Sequence, residues 1–438
     1  MSARVLFCCW PFEGHVFPQL SIALALRDRG AEVAFYTGRR LEETISGQGI
    51  QVFPHERIES AWEAVRDYER AVGGRRQSVR VAHRAFRQWL VETIPSQVAD
   101  LREVRAAFGP DVLVTDASMW GPSLVLRETE RIPVALATPL MFALVPGPDA
   151  PPAGTLLRPA TSPGGRLLAS AIKGATDLAA TGLRRRVDEI RASFGLPSMG
   201  CGVNAYLGGL DLYLVFSTPE LDFNRWDLPP SVHYVGPCLW YPPQEREADA
   251  LLETVRDDRP WVLITVGTSH LQDPFVLRAA VQGLSGTHME VIITHGRGRP
   301  REEFAPDPVA PNIHVFEWVN YDELLPRCAA MVTSGGAGTL IAGLRAGIPI
   351  VIVPTTWEKP DHAVRVADAG AAVILRPRRC SPEHLRKAVE EILGAPTYRE
   401  AAQRAAASLA ASPGPAGAAE LIEGLATPTA QSSQTTTA

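Results

Sequence analysis

Short apolar runs alternate with helix-length segments along almost the whole chain, and this rhythm constrains the fold more than any single residue does. Such alternation predicts an α/β protein with parallel sheets. In the first half, strands are expected at residues 5–9, 33–36, 51–53, 112–115, 133–137 and 212–216, with a first helix at 18–29 closed by Gly30. An arginine-rich helical stretch at 56–107 carries Trp62, Tyr68, Phe86 and Trp89. It is longer than a plain βα unit needs, and reads either as pocket lining or as a cap on the sheet. After a strand at 233–235, residues 236–260 hold four prolines and a burst of acidic residues, which reads as an interdomain linker. A second βα series follows, with strands at 261–266, 290–294, 313–316, 330–333, 350–353 and 372–375.

The expected organisation is therefore a first domain at 1–235, a linker at 236–260 and a second domain at 261–396. A terminal helical segment at 397–426 and a disordered Ser/Thr/Gln/Ala tail at 427–438 complete it. A length of 438 residues suits two domains better than one core. With 46% hydrophobic and 21% charged residues, the composition is that of a soluble globular protein. A net charge of −5 and a pI near 6.1 advertise no surface for nucleic acid. Cys8, Cys9, Cys201, Cys238, Cys328 and Cys380 show no paired metal-type spacing, which argues against a zinc site or a disulfide framework. The apolar run ending at Pro11 is too short for a signal peptide, and the stretch 132–146 is broken by Pro139. A cytoplasmic protein without a membrane span is expected, its oligomeric state left open and a homodimer among the options.

Two groups of residues carry chemistry. In the second domain, Ser334-Gly335-Gly336-Ala337-Gly338-Thr339 joins an apolar run to a helical pattern. Glycine amides can approach an anion closely, and the new helix adds its positive dipole end. No Gly-Lys-Ser/Thr follows, so this is not a P-loop. The glycines alone fit a phosphate cradle or an unliganded βα turn equally well. Gly267-Thr268-Ser269 leaves the first strand of that domain as a second phosphate contact. Trp318 offers a face for a nucleobase, with core packing its simpler explanation. Glu358 suits sugar hydroxyls, and Lys359 suits either phosphate or a pairing with Glu358.

In the first domain, His15 follows Phe12-Glu13-Gly14 at the end of the first strand, and Asp116 follows the fourth. Adjacent first and fourth strands are a property of doubly wound sheets, and would bring both side chains into one crevice. A carboxylate on one imidazole nitrogen fixes the tautomer and leaves the other nitrogen to act as a base. Each residue also has a plain reading, His15 as a helix cap and Asp116 as an N-cap. No GxGxxG is present, which removes the main signature of a dinucleotide oxidoreductase.

Together these residues resemble the family 1 nucleotide-sugar glycosyltransferases of the GT-B fold, especially bacterial enzymes that decorate natural products such as antibiotics. The resemblance covers nearly the whole chain. It implies two facing doubly wound domains, with His15 as catalytic base and Asp116 as its partner. It implies donor contacts at Trp318-Val319, at Ser334 to Thr339 and at Glu358-Lys359. Three departures stand out: Ser334 replaces a histidine, Glu358-Lys359 replace Asp-Gln, and His362 replaces an asparagine.

The expected activity is inverting transfer of a sugar from a UDP- or TDP-sugar to a hydroxyl of a hydrophobic small molecule, with nitrogen or carbon acceptors left open. No metal or other cofactor is expected, because loop amides and the helix dipole meet the leaving diphosphate. Phe12, Trp120, Met141 and Phe142 are the expected acceptor wall. The alternatives are a noncatalytic relative that binds nucleotide or assists a partner transferase, and, ranked last, a nucleotide-sugar epimerase.

Overall fold

A computed structural model of the chain describes residues 2–72, 79–242, 255–267, 273–296 and 298–426. Thr268, Ser269, the expected tail at 427–438 and residues 243–254 of the expected linker lie outside the described residues. The first sheet contains β1 (Arg4–Cys8), β2 (Glu32–Thr37), β3 (Gln51–Pro54), β4 (Val112–Thr115), β5 (Val134–Thr138), β6 (Leu212–Val215) and β7 (Val232–Tyr234). Their order is β3-β2-β1-β4-β5-β6-β7, and every pairing is parallel. The second contains β8 (Trp261–Thr265), β9 (Glu290–Thr294), β10 (Ile313–Phe316), β11 (Cys328–Thr333), β12 (Ile350–Ile352) and β13 (Ala372–Ile374). Its order is β10-β9-β8-β11-β12-β13, again parallel throughout.

Both faces of each sheet are covered, which is why these strands read as apolar runs rather than as alternating ones. In β1, Leu6 and Cys8 pack into the core on one side while Val5 and Phe7 pack on the other. In β8, Leu263 faces one core and Val262 and Ile264 the other. The strand order reverses between β1 and β4, where Cys8 lies beside Thr115, and between β8 and β11, where Thr265 lies beside Thr333. Each reversal leaves a crevice at the carboxyl ends of its strands.

The first helix differs from expectation. Proline favours a first turn, so Pro18 suggests a start there. The helix instead runs Glu13–Asp28 with Pro18 inside it. The Phe12 carbonyl accepts from the N–H groups of His15 and Val16, both at 2.9 Å, and so nucleates the turn earlier. His15 therefore stands on a helix and not in a loop. The arginine-rich stretch resolves into helices Trp62–Val72, Val79–Leu90 and Ile94–Phe108.

The terminal segment also divides differently. Helix Pro396–Ala411 stays with the second sheet, burying Ala401, Ala402, Ala405 and Leu409 in its core. Helix Gly414–Ala426 alone of the two crosses to the first sheet, where Ala418, Ala419 and Ile422 pack beside Val16 and Leu20. The outgoing and returning chains touch where they cross. Gly236 has a φ of +86°, and a Cβ there would lie 2.2 Å from that of Ser412. Among the described residues, no helix is long and apolar enough to cross a membrane.

Helix Lys359–Asp368 joins the two halves. Arg365 donates from Nε to Asp222 of the first half at 2.6 Å, and both side chains are almost fully buried. The Tyr234 hydroxyl also donates to Asp222. The guanidinium lies 3.9 Å from the Phe142 ring centroid and 4.5 Å from that of Phe223. One turn earlier, the Asp361 carboxylate accepts from the Gly154 N–H at 2.8 Å. Removing one member of a buried pair strands the other charge without water, so Asp222→Ala is expected to cost about 3–5 kcal/mol. The measurement is the urea midpoint, which should fall clearly; an unchanged midpoint would show that the pair holds nothing together.

Candidate active site

At the first reversal, His15 Nδ1 lies 3.0 Å from Asp116 Oδ2. Asp116 is fully buried, and its other oxygen accepts from the Ser118 N–H at 2.7 Å, the Ser118 hydroxyl at 2.6 Å and the Met119 N–H at 2.9 Å. Three donors on one oxygen fix the carboxylate in place. Its remaining oxygen calls for a donor, which places the proton of neutral His15 on Nδ1 and leaves Nε2 as the free base. The His15 side chain is 31% exposed. Burial pulls the imidazole pKa down, but the Asp116 charge, its hydrogen bond and the more distant Glu358 charge together push it above its ordinary 6.5. Glu358 belongs to the second half, so the base already feels the opposite side of the cleft.

At the second reversal, Gly267 follows β8 with a φ of +76°, while Ser334 to Thr339 follows β11. Gly335 has a φ of +93°, and a Cβ on it would meet Ile352 Cγ2 at 3.0 Å and Lys359 Cβ at 3.4 Å. This is the one position of the loop that requires glycine on both counts. Gly336 precedes helix Ala337–Arg345, whose first-turn N–H groups at Ala337, Gly338 and Thr339 have no acceptor one turn back. They point out of the helix start together with its positive dipole end, an arrangement suited to a diphosphate.

Ser334 corrects the expectation made for it. It is 2% exposed, and its hydroxyl donates to the Val266 carbonyl at 3.0 Å. It ties the ends of β8 and β11 together and offers no side-chain donor to a ligand. Val319 is fully buried in the core, so its side chain cannot meet a nucleotide either. Trp318 is half-buried just past β10, two strand spacings from β8.

Lys359 is 8% exposed and donates to the Thr355 hydroxyl at 3.2 Å. Burial lowers its pKa, with Glu358 and Glu69 opposing. Its stem packs against Gly335, so it supports the loop from behind. Glu358 is half-buried and central: its charge reaches His15, Tyr68, Lys359, Asp361 and His362. His362 is fully buried, with Nδ1 3.1 Å from the Gly335 carbonyl and Nε2 accepting a long 3.4 Å bond from the Met141 N–H. Burial lowers its pKa, so it stays neutral and links the glycine loop directly to the first half.

The expected acceptor wall needs correction. Phe12 is half-buried, its ring centroid 5.3 Å from those of His15 and Trp62. Trp120 is 7% exposed and belongs to the core of the first half. The Met141 side chain is fully buried in the second half's core. Phe142 is held between His362 and Arg365. All three serve packing or the seam between the halves. Residues that the sequence pattern left undecided are Trp62, Tyr68, Phe86 and Trp89, whose rings gather around Phe12, the neighbour of His15, and around Trp357. Trp357 was not singled out, and the only signal for it is its position immediately before Glu358. Among the described residues, no group of three or more His, Cys, Asp or Glu is placed to hold a metal ion.

Comparison with known proteins bears on the fold and the family. Residues 279–425 match the family model described as erythromycin biosynthesis protein CIII-like, C-terminal domain. The chain is 33% identical to 4'-demethylrebeccamycin synthase of Lentzea aerocolonigenes, over 97% of this chain and 100% of that protein. It is 27% identical to tylactone mycaminosyltransferase of Streptomyces fradiae, over 96% and 92% of the two chains. The crystal structure of the calicheamicin glycosyltransferase CalG4 superposes with a TM-score of 0.75 at 20% identity, covering 98% and 99% of the two chains. The chain belongs to the GT-B glycosyltransferases of natural-product biosynthesis.

Proposed function

We propose that this glycosyltransferase moves a sugar from a UDP- or TDP-sugar to a hydroxyl of a hydrophobic small molecule, with inversion at the anomeric carbon. The observation that carries the reading is the His15–Asp116 pair, oriented at one reversal of strand order and sensing Glu358 across the cleft. The acceptor hydroxyl gives its proton to His15 Nε2 while its oxygen bonds to the anomeric carbon. The bond from that carbon to the diphosphate oxygen breaks, and the nucleoside diphosphate leaves with the electron pair. Asp116 stabilises the imidazolium that forms. The N–H groups of Ala337, Gly338 and Thr339 take the growing charge on the diphosphate, where a fixed dipole needs no reorganisation. Glu358 is placed for the sugar hydroxyls, and Trp318 for the base.

The test is product formation by mass with UDP- and TDP-sugars and hydroxylated acceptors. His15→Ala should lose about 10²–10⁴-fold in rate while still binding nucleotide; undiminished product in that variant would remove His15 from the chemistry. Because the base works unprotonated and its pKa is raised, kcat/KM should climb with pH through a midpoint above 6.5. Asp116→Asn should lower the plateau and move that midpoint to lower pH, since the upward push is gone; an unmoved midpoint would assign the limb to another group.

The glycine loop has its own prediction. Gly335→Ala forces a side chain into left-handed backbone and against Ile352. Strain of about 1–2 kcal/mol should displace the loop and raise the donor KM about tenfold. Steady-state kinetics at saturating acceptor measures it, and an unchanged donor KM would place the diphosphate elsewhere.

A further inference from the structure

Trp89 is buried, and half-buried rings stand around it: Phe12 at 5.5 Å between centroids, Tyr68 at 6.2 Å, Phe86 at 6.5 Å and Trp357 at 5.5 Å. Trp62 extends the group on the far side of Phe12. Apart from Phe12, which follows β1, the first-half rings come from the helical stretch inserted between β3 and β4, whereas Trp357 comes from the second half. Trp357 meets Tyr68 at 4.1 Å between centroids, so the two halves touch here through aromatic rings. The backbone of Trp357 is left-handed, with a φ of +60°, a conformation that bulky side chains rarely adopt. That turn aims the indole into the first half while the next residue, Glu358, keeps its charge within reach of His15 and Tyr68.

We propose that Trp357 is the second half's wall of the acceptor seat, and that it selects acceptors carrying a flat, fused aromatic ring system. This rests on the transferase reading above. Half-buried aromatic faces grouped beside the base favour a partner that can stack or meet them edge to face, and reward a saturated ring less. Because ring and carboxylate leave one turn, the wall that grips the acceptor is placed together with the group facing the donor sugar. An acceptor seated against Trp357 is thus registered against the anomeric carbon.

The test uses the full chain with one nucleotide sugar that supports turnover and two acceptors, the hydroxyanthraquinone alizarin and an aliphatic macrolactone aglycone. The parent enzyme should favour the anthraquinone. Trp357→Ala should raise the anthraquinone KM about tenfold, more than it lowers kcat, and erode the preference over the macrolactone by the same factor. Trp357→Phe should restore most of it, and calorimetry with the free nucleoside diphosphate reports whether each variant still folds and binds. A preference left intact in Trp357→Ala, or a parent enzyme that favours the macrolactone, overturns the inference and leaves the transferase reading standing. A parent enzyme that glycosylates neither acceptor and hydrolyses no donor counts against both.

Discussion

The buried ion pair between Arg365 and Asp222 governs how two independently wound sheets face each other. Each sheet carries its own two-sided core. What the pair adds is register between the halves, because a guanidinium with so little exposure must keep its carboxylate. Three residues earlier on the same helix, neutral His362 reaches from the Gly335 carbonyl to the Met141 N–H. The loop that suits a diphosphate is therefore fastened to the half that carries the base. Function in this chain depends on the placement of one helix, Lys359–Asp368, as much as on the residues that touch substrates.

The two reversals of strand order do unequal work. At the first, the buried Asp116 carboxylate, one oxygen held by three donors, imposes a tautomer on His15 and leaves Nε2 for proton transfer. At the second, side chains contribute little: Ser334 is spent on Val266 and Lys359 supports the loop from behind. Backbone N–H groups and a helix dipole remain, and these are indifferent to which residue replaces the family's histidine. That explains how a chain can depart from a familiar loop at Ser334 and keep its geometry.

Much of this is legible in the sequence. The βα rhythm predicts both sheets, and doubly wound topology alone brings His15 beside Asp116. Local signals failed where tertiary contacts decide. Pro18 marks a helix start by its own preference, yet the Phe12 carbonyl nucleates the turn first. Trp120, Met141 and Phe142 are apolar residues near the right strand ends, and no pattern distinguishes an open wall from a packed seam. The role of Ser334 depends on Val266, far away in sequence and adjacent only through strand pairing. Trp357 sits in a left-handed turn that carries no periodicity, so only the folded chain shows which rings it meets.

The central claim is a single displacement: one base, one acceptor oxygen and a departing diphosphate on the opposite face of the sugar. The anomeric configuration of the product, read by nuclear magnetic resonance against that of the donor, tests it most directly. A base acting on the acceptor, with no enzyme nucleophile between, predicts complete inversion. Retained configuration would require a covalent intermediate or same-face attack, and would contradict the role assigned to His15.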